Sequence, residues 1–392
     1  MVKENTMKQT EIGLLPVDWH LKKLGSVAFI TKLAGFEYSK YFNSYKDGGE
    51  IIVVRGTNIT NNKLDLSDTK YIPRKTSDFL HRSKLSKGDL VFAYVGTIGP
   101  IYLIKENNRF HLGPNTAKIK IEDKDVNTDY IFNYFLSEFI RKEIDDRISV
   151  GAQPSLSMAK IRDFSIPLPP LPEQEAIAEA LSDADAWIES LEQLIAKKRL
   201  IKQGAMQELL SPKEDWEVKK LGEVCSILNN LRIPIKESSR IKGDTPYYGA
   251  NGIQGYIEGF THNGDYVLVA EDGANDLNNY PINYVSGKIW VNNHAHVLQG
   301  ILSILSTKFL SYLLKSIDFQ NVLVGGTRAK LNKSILEKIE FSFPSLTEQT
   351  RIATILSDMD AELEALEAQL GKARKVKQGM MQELLTGRVR FV

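Results

Sequence analysis

The feature that most constrains this chain is a repetition. KQGAMQELL at 202–210 returns as KQGMMQELL at 377–385. The match runs without a gap from Glu173 to Leu210 and from Glu348 to Leu385, with 22 of 38 positions identical, far beyond chance. It fades upstream, where GAQPSLSMAKIRDFSIPLP (151–169) keeps step with GTRAKLNKSILEKIEFSFP (326–344). A second echo precedes each unit, DWHLKKLGSV at 18–27 and DWEVKKLGEV at 215–224. A chain written this way folds as two tandem half-molecules, each a variable globular region followed by a similar helical segment.

The helical segments have a readable face. Ile177, Leu181, Ala184, Ile188, Leu191 and Ile195 advance by alternate fours and threes, and so do Ile352, Leu356, Met359, Leu363, Leu366 and Leu370. A 3.5-residue period held this long predicts a helix–helix seam of the coiled-coil kind. Pro172 and Pro344 stand where a helix opens. At 1.5 Å per residue the first segment spans about 57 Å. Two ordinary core helices are the plainer alternative, but length, Glu/Lys-rich flanks and near-identity favour a long pair. With a whole domain between them the helices can run antiparallel, giving a pseudo-twofold axis. The variable regions carry strand-like runs, EIIVVRG, DLVFAYV and TAKIKI in the first and YVLVA, KIWVNN and AHVL in the second. The expected fold class is α+β, two tandem strand-rich domains separated and joined by two long helices forming an antiparallel coiled coil. The boundaries fall at 1–170, 171–211, 212–345 and 346–392.

Composition narrows the partners. The 392 residues carry a net charge of +1, so a nucleic-acid partner would need a local patch. One cysteine, Cys225, excludes an internal disulfide framework and a Cys-based zinc cluster. The N-terminal stretch lacks the blocks of a signal peptide and no apolar run approaches about 18 residues, so a cytoplasmic location is expected.

PLPPLPEQ at 167–174, LSDADA and KQGAMQELL, with FPSLTEQ, LSDMDA and KQGMMQELLTG in the second copy, resemble the DNA specificity subunit of type I restriction-modification systems. TPYYGANGIQGYI (245–257), AEDGAN (270–275) and WVNNHAHVL (290–298) resemble one type of target-recognition domain. IIVVRGTNI (51–59), KGDLVFAYVGTIG (87–99) and GPNTAKIKI (113–121) resemble another. The resemblance implies a non-catalytic adaptor on double-stranded DNA, with each domain reading one half of an asymmetric bipartite site and the helices measuring the spacer. It implies two methyltransferase subunits and two restriction subunits as partners. S-adenosylmethionine, ATP and Mg²⁺ belong to those partners, with no cofactor and no metal in this chain. A coiled-coil scaffold that does not bind DNA is the alternative; it explains the helices but not two divergent halves.

The chemistry present fits an adaptor. No N/D-P-P-Y/F methylation motif occurs, and GTIG (96–99) lacks the Gly-Lys-Ser/Thr of a phosphate loop. A nuclease reading would draw on Asp89, Glu122, Asp123 and Lys124, but the spacing is loose. His294 and His296 alternate on a predicted strand, with His262, Glu271 and Asp272 elsewhere in that half, yet a third metal ligand at fixed spacing is missing. Base and phosphate contact calls for Arg, Asn, Gln, Lys and Tyr in turns. The candidates are Arg55, Asn58, Tyr94, Thr97, Arg109 and Gln153 in the first domain, and Tyr247, Tyr248, Asn251, Gln254, Asn275, Arg328 and Lys330 in the second. The paired loops GAQPS and GGTRAK are expected to face the duplex. The basic runs with Lys197, Lys198, Arg199 and Lys202, and with Lys372, Arg374, Lys375 and Lys377, are either solvated faces or phosphate contacts. Met206, Leu209 and Leu210, with Met381, Leu384 and Leu385, form repeated apolar patches expected to meet the methyltransferase subunits.

Overall fold

The computed structural model describes residues 6–42, 48–148, 154–272, 274, 276, 279–322 and 330–391. Two compact units emerge, Met1–Ser190 with Leu370–Val392, and Leu191–Gln369. The long helices are Leu171–Leu209 and Leu346–Leu384, 39 residues each. Each begins in one unit and ends in the other, so the compact units cut across the helical segments.

Unit 1 opens with a hairpin of β1 (Met7–Thr10) and β2 (Gly13–Pro16). The strands that follow are β3 (His20–Lys23), β4 (Ala28–Lys32), β5 (Ile51–Val54), β6 (Lys70–Ile72), β7 (Leu90–Ala93), β8 (Ile101–Leu103), β9 (Phe110–Leu112), β10 (Thr116–Ile121) and β11 (Ser165–Leu168). An antiparallel sheet runs in the order β8-β7-β10-β4, and a smaller one in the order β9-β5-β6, with β9 parallel to β5. Asn127 caps the helix Thr128–Phe135 by accepting from the Tyr130 N–H at 2.9 Å, satisfying an otherwise orphaned donor. That helix buries Tyr130, Ile131, Tyr134 and Phe135 against Phe92, Ile119 and Phe164.

Unit 2 contains β12 (Glu217–Lys220), β13 (Cys225–Ile227), β14 (Thr245–Gly249), β15 (Gly252–Ile257), β16 (His262–Ala270), β17 (Ile282–Val291), β18 (Ala295–Gly300) and β19 (Glu340–Phe343). Its sheet has six strands in the order β13-β18-β16-β17-β14-β15. The helix Thr307–Lys315 packs on it, burying Phe309, Leu310, Leu313 and Leu314.

The two sheets differ, but the frame around them is the same. β3 pairs antiparallel with β11 in unit 1, as β12 does with β19 in unit 2. The Leu24 N–H donates to the Phe164 carbonyl at 2.8 Å, and the Leu221 N–H to the Ile339 carbonyl at 2.9 Å. The shared Glu-Gln places a buried amide at an equivalent joint. Gln174 donates to the Pro169 and Asp125 carbonyls and accepts from the Asn127 N–H. Gln349 donates to the Pro344 and Ile304 carbonyls and accepts from the Ser306 N–H. Buried amides satisfied this fully specify one geometry.

The expected seam positions divide their labour. Ile177 and Leu181 are fully buried and enter the unit 1 core with Trp19, Ile166, Leu384 and Leu385. Ile352 and Leu356 enter the unit 2 core with Trp216, Phe343 and Leu210. Leu191, Ile195 and Leu363 are buried; Ala184, Ile188, Met359, Leu366 and Leu370 are half-buried. Asp185 pairs with Lys377 at 2.5 Å in unit 1. In unit 2 Lys202 pairs with Asp360, Lys198 with Glu362 at 2.6 Å and Arg199 with Glu367 at 2.6 Å. Within each unit the start of one helix therefore meets the end of the other, so the pair is antiparallel. The repeat maps Asp185 onto Asp360 and Lys202 onto Lys377, so these are two copies of one contact.

Three of the six residues expected to meet the methyltransferase subunits, Leu210, Leu384 and Leu385, are buried. Leu384 and Leu385 lie inside the unit 1 core, with Met381 packed against it. Leu210 lies inside the unit 2 core, with Met206 and Leu209 against it. Exposing the three leucines would leave a large apolar area in water, so they close the domain cores, while Met206, Leu209 and Met381 remain half-buried at the rim. In unit 2 the closing segment runs on through the chain into Trp216. In unit 1 Arg390 clamps it, pairing with Asp18 at 2.7 Å and Glu173 at 2.5 Å. The Trp19 indole N–H donates to the same Glu173 at 3.3 Å. Among the described residues no helix is long and apolar enough to cross a membrane.

Candidate nucleic-acid interface

A connected polar surface lies in unit 2, along the strand ends of β16 and β18 and the β14–β15 hairpin. The Asn292 amide N–H lies 3.4 Å from the Gln254 side-chain oxygen, and the Asn292 oxygen accepts the His294 backbone N–H at 2.8 Å. His294 Nδ1 sits 2.6 Å from Asp272 Oδ1. The His294 carbonyl accepts the Glu271 N–H at 2.9 Å. Glu271 then gathers two cations, Arg232 at 2.7 Å and Lys330 at 3.2 Å. Burial pushes the Glu271 carboxyl up, but the Arg232 hydrogen bond, His296 and Lys330 outweigh it and hold the carboxyl below its ordinary value. Two amides, an imidazole, two carboxylates and two cations thus form one chain from Gln254 to Lys330. Such a set can both donate to and accept from base edges.

The histidines divide. His296 is buried, with Nε2 on the Leu331 carbonyl at 2.7 Å and Nδ1 on Asn229 at 2.8 Å. Burial holds its pKa below the ordinary value. His294 precedes β18, in the turn after β17, and is exposed. The expected strand alternation across both histidines therefore stops short of His294, because β18 begins at Ala295.

The other candidates of this unit scatter. Tyr247 is only 1% exposed; its hydroxyl accepts from the Ile235 N–H and donates to the Ile235 carbonyl, under the Arg240 guanidinium at 3.8 Å. It is a core residue, a correction to its expected role. Tyr248 is half-buried against the outer cluster of Leu268, Val285 and Val291. Asn251 is exposed at the turn between β14 and β15, with Gln254 exposed three residues on. Asn275 and Arg328, with the loop GGTRA, lie outside the described residues.

Unit 1 offers a different surface. Residues 94–97 are stapled to the end of the expected loop GAQPS and the residue after it: the Leu156 N–H donates to the Tyr94 carbonyl and the Gly96 N–H to the Pro154 carbonyl. Tyr94 is half-buried beneath Lys32 at 5.9 Å, and Thr97 is exposed. Gln153 and residues 149–152 lie outside the described residues. Asn58 is 2% exposed and accepts from the Arg55 backbone and guanidinium while donating to the Asp65 and Asp68 carbonyls. It is a loop-building amide, not a contact, because its donors and acceptor are spent internally. Arg55 is held at the same place by Asp68 at 2.9 Å. Arg109 is exposed and paired with Glu106 at 2.8 Å.

Asp89 is sealed under Lys118 at 2.9 Å, and Asp123 pairs with Lys22 at 3.0 Å, so the acidic residues of the nuclease reading do not converge. The basic runs are partly consumed by the interhelical pairs described above. Sequence reasoning missed Arg232 and Asn292 as partners. The signal for Asn292 lay in WVNNHAHVL; Arg232 carried none, since its role depends on a fold that returns it to Glu271.

Comparison with known proteins agrees with this layout. The type I restriction modification DNA specificity domain family matches residues 16–198 and 213–373. A putative type I restriction enzyme specificity subunit of Haemophilus influenzae is 46% identical over 157 residues, 40% of each chain. The putative MjaX specificity subunit of Methanocaldococcus jannaschii is 26% identical over 99% of this chain and 97% of its own. Among solved structures, the type I restriction-modification S subunit of M. genitalium superposes with a TM-score of 0.66 at 17% identity, over 94% of this chain and 96% of its own. A structure described for complex assembly and conformational transition of a type I system gives 0.55 at 16% identity, over 96% and 99%. With both halves matched and the same frame in each unit, the chain belongs to the type I restriction modification DNA specificity family.

Proposed function

We propose that the chain is the non-catalytic DNA-reading subunit of a type I restriction-modification enzyme in the cytoplasm, with each unit reading one half of an asymmetric bipartite site. The observation that carries this reading is an identical frame around unlike sheets. A shared frame fixes where each reader stands, and unlike surfaces give each its own sequence. Half-sites on one face of B-DNA stand about 34–36 Å apart per turn, within reach of helices about 58 Å long. Phosphate contacts set register while amide and imidazole groups read base edges.

Methyltransferase subunits, two in number, dock on the outward face of the long helices, and the restriction subunits follow. Gln203 and Gln207 repeat there as Gln378 and Gln382, all exposed. S-adenosylmethionine, ATP and Mg²⁺ act in those partners. The test is selection from a random duplex pool by the chain with its methyltransferase partner. The expected product is two fixed, different half-sites around an unselected spacer of constant length. A pool without enrichment contradicts the reading and favours a protein-only scaffold.

A further inference from the structure

One exposed side chain of unit 2 is held as firmly as a core group. His294 keeps 49% of its side chain in solvent, yet three separate groups fix it. Asn292 holds its backbone N–H, Glu271 its carbonyl and Asp272 its ring. An exposed histidine–carboxylate pair adds little to folding, and immobilising a surface side chain costs conformational entropy. The arrangement instead has the form of a preorganised recognition group. Asp272 engages Nδ1 and so fixes the ring's orientation and tautomer. Nε2, on the far side of the ring, has no partner among the described residues. The same ring stands midway along the polar chain from Gln254 to Lys330.

Resting on the proposed DNA reading, we propose that His294 is a specificity-determining residue of the second reader. Its Nε2 makes a hydrogen bond with a base edge, and Asp272 is the residue that positions it. A base edge, not a phosphate, suits this construction. Phosphates are met well by mobile, multi-donor cations, whereas a single nitrogen aimed by a carboxylate is directional and reads one acceptor or donor. Lys330, paired with Glu271 at 3.2 Å at the end of the same chain, supplies the phosphate-type charge.

The test uses the full chain with its methyltransferase partner and three duplexes: the selected site, the site with its second half scrambled, and the site with its first half scrambled. His294→Ala is expected to weaken binding to the selected site about five- to fiftyfold, the worth of one base contact. Binding to the duplex scrambled in the second half should stay within about twofold. Asp272→Asn should fall between wild type and His294→Ala, and Asp272→Glu should recover most of the discrimination. His294→Gln, which keeps a polar side chain in the turn, should relax the preference at one base pair if the alanine variant proves unstable. An equal loss on all three duplexes would identify a phosphate contact and overturn the inference, as would no loss on any. A wild-type complex that prefers no site would instead contradict the DNA reading itself.

Discussion

Asn58 and Tyr247 carry the groups that read bases or stack on them, yet both face inward. A sequence shows which donors a residue owns, not which backbone carbonyls will claim them. IIVVRGTNI placed Asn58 correctly in a turn; the fold of residues 55–68 around its amide was invisible there. Asn58→Ala strands the hydrogen-bonding groups of that loop and should cost about 1–3 kcal/mol in urea denaturation. Arg390 gives a pH-dependent counterpart. Its hydrogen bond holds the Asp18 carboxyl below the ordinary 3.8. A lowered folded-state pKa contributes stability fully present above the unfolded value and lost as pH falls through the folded one. The melting-temperature gap between wild type and Arg390→Ala should therefore be constant above about pH 5 and shrink progressively below about pH 4.

The long helices were the most legible elements, because twelve apolar positions at alternating spacings leave few other folds open. Their ends were less so. Periodicity names the buried face but not the group that covers it, so MQELL read as a partner's docking patch. Burial of Leu210, Leu384 and Leu385 makes part of it a core plug. Leu385→Ala and Leu210→Ala should each destabilise the isolated chain by about 2–5 kcal/mol, measured before any partner is added; loss of partner binding with unchanged stability would restore the original expectation. The repeated aspartate and lysine make a second, milder claim. Lys377→Asp should lower the stability of unit 1 by about 1 kcal/mol, and adding Asp185→Lys should recover it. A reversed pair no more stable than the single variant would show that Asp185 and Lys377 do not interact.

At the scale of the whole molecule, the echoes at KKLG and Pro-x-x-x-Glu-Gln mark the bounds of parts that can be exchanged. What each proposed reader recognises was not legible, because the amide, imidazole and carboxylate groups of unit 2 are brought together from three separate segments. Repeated spacing supplies the frame, whereas on the proposed reading specificity resides in loops and sheet edges whose contacts are long-range. The equivalent joints at Leu24–Phe164 and Leu221–Ile339 make a direct exchange possible. Replacing residues 24–164 by a second copy of residues 221–339 yields a chain with one reader in both frames. Sequencing the methylated motif in a host carrying this variant and its partner genes tests the central claim most directly. The account predicts a symmetric motif, both halves equal to the wild type's second half and the spacer length unchanged. A motif that remains asymmetric, or a spacer that shifts although the variant is folded and active, would contradict it.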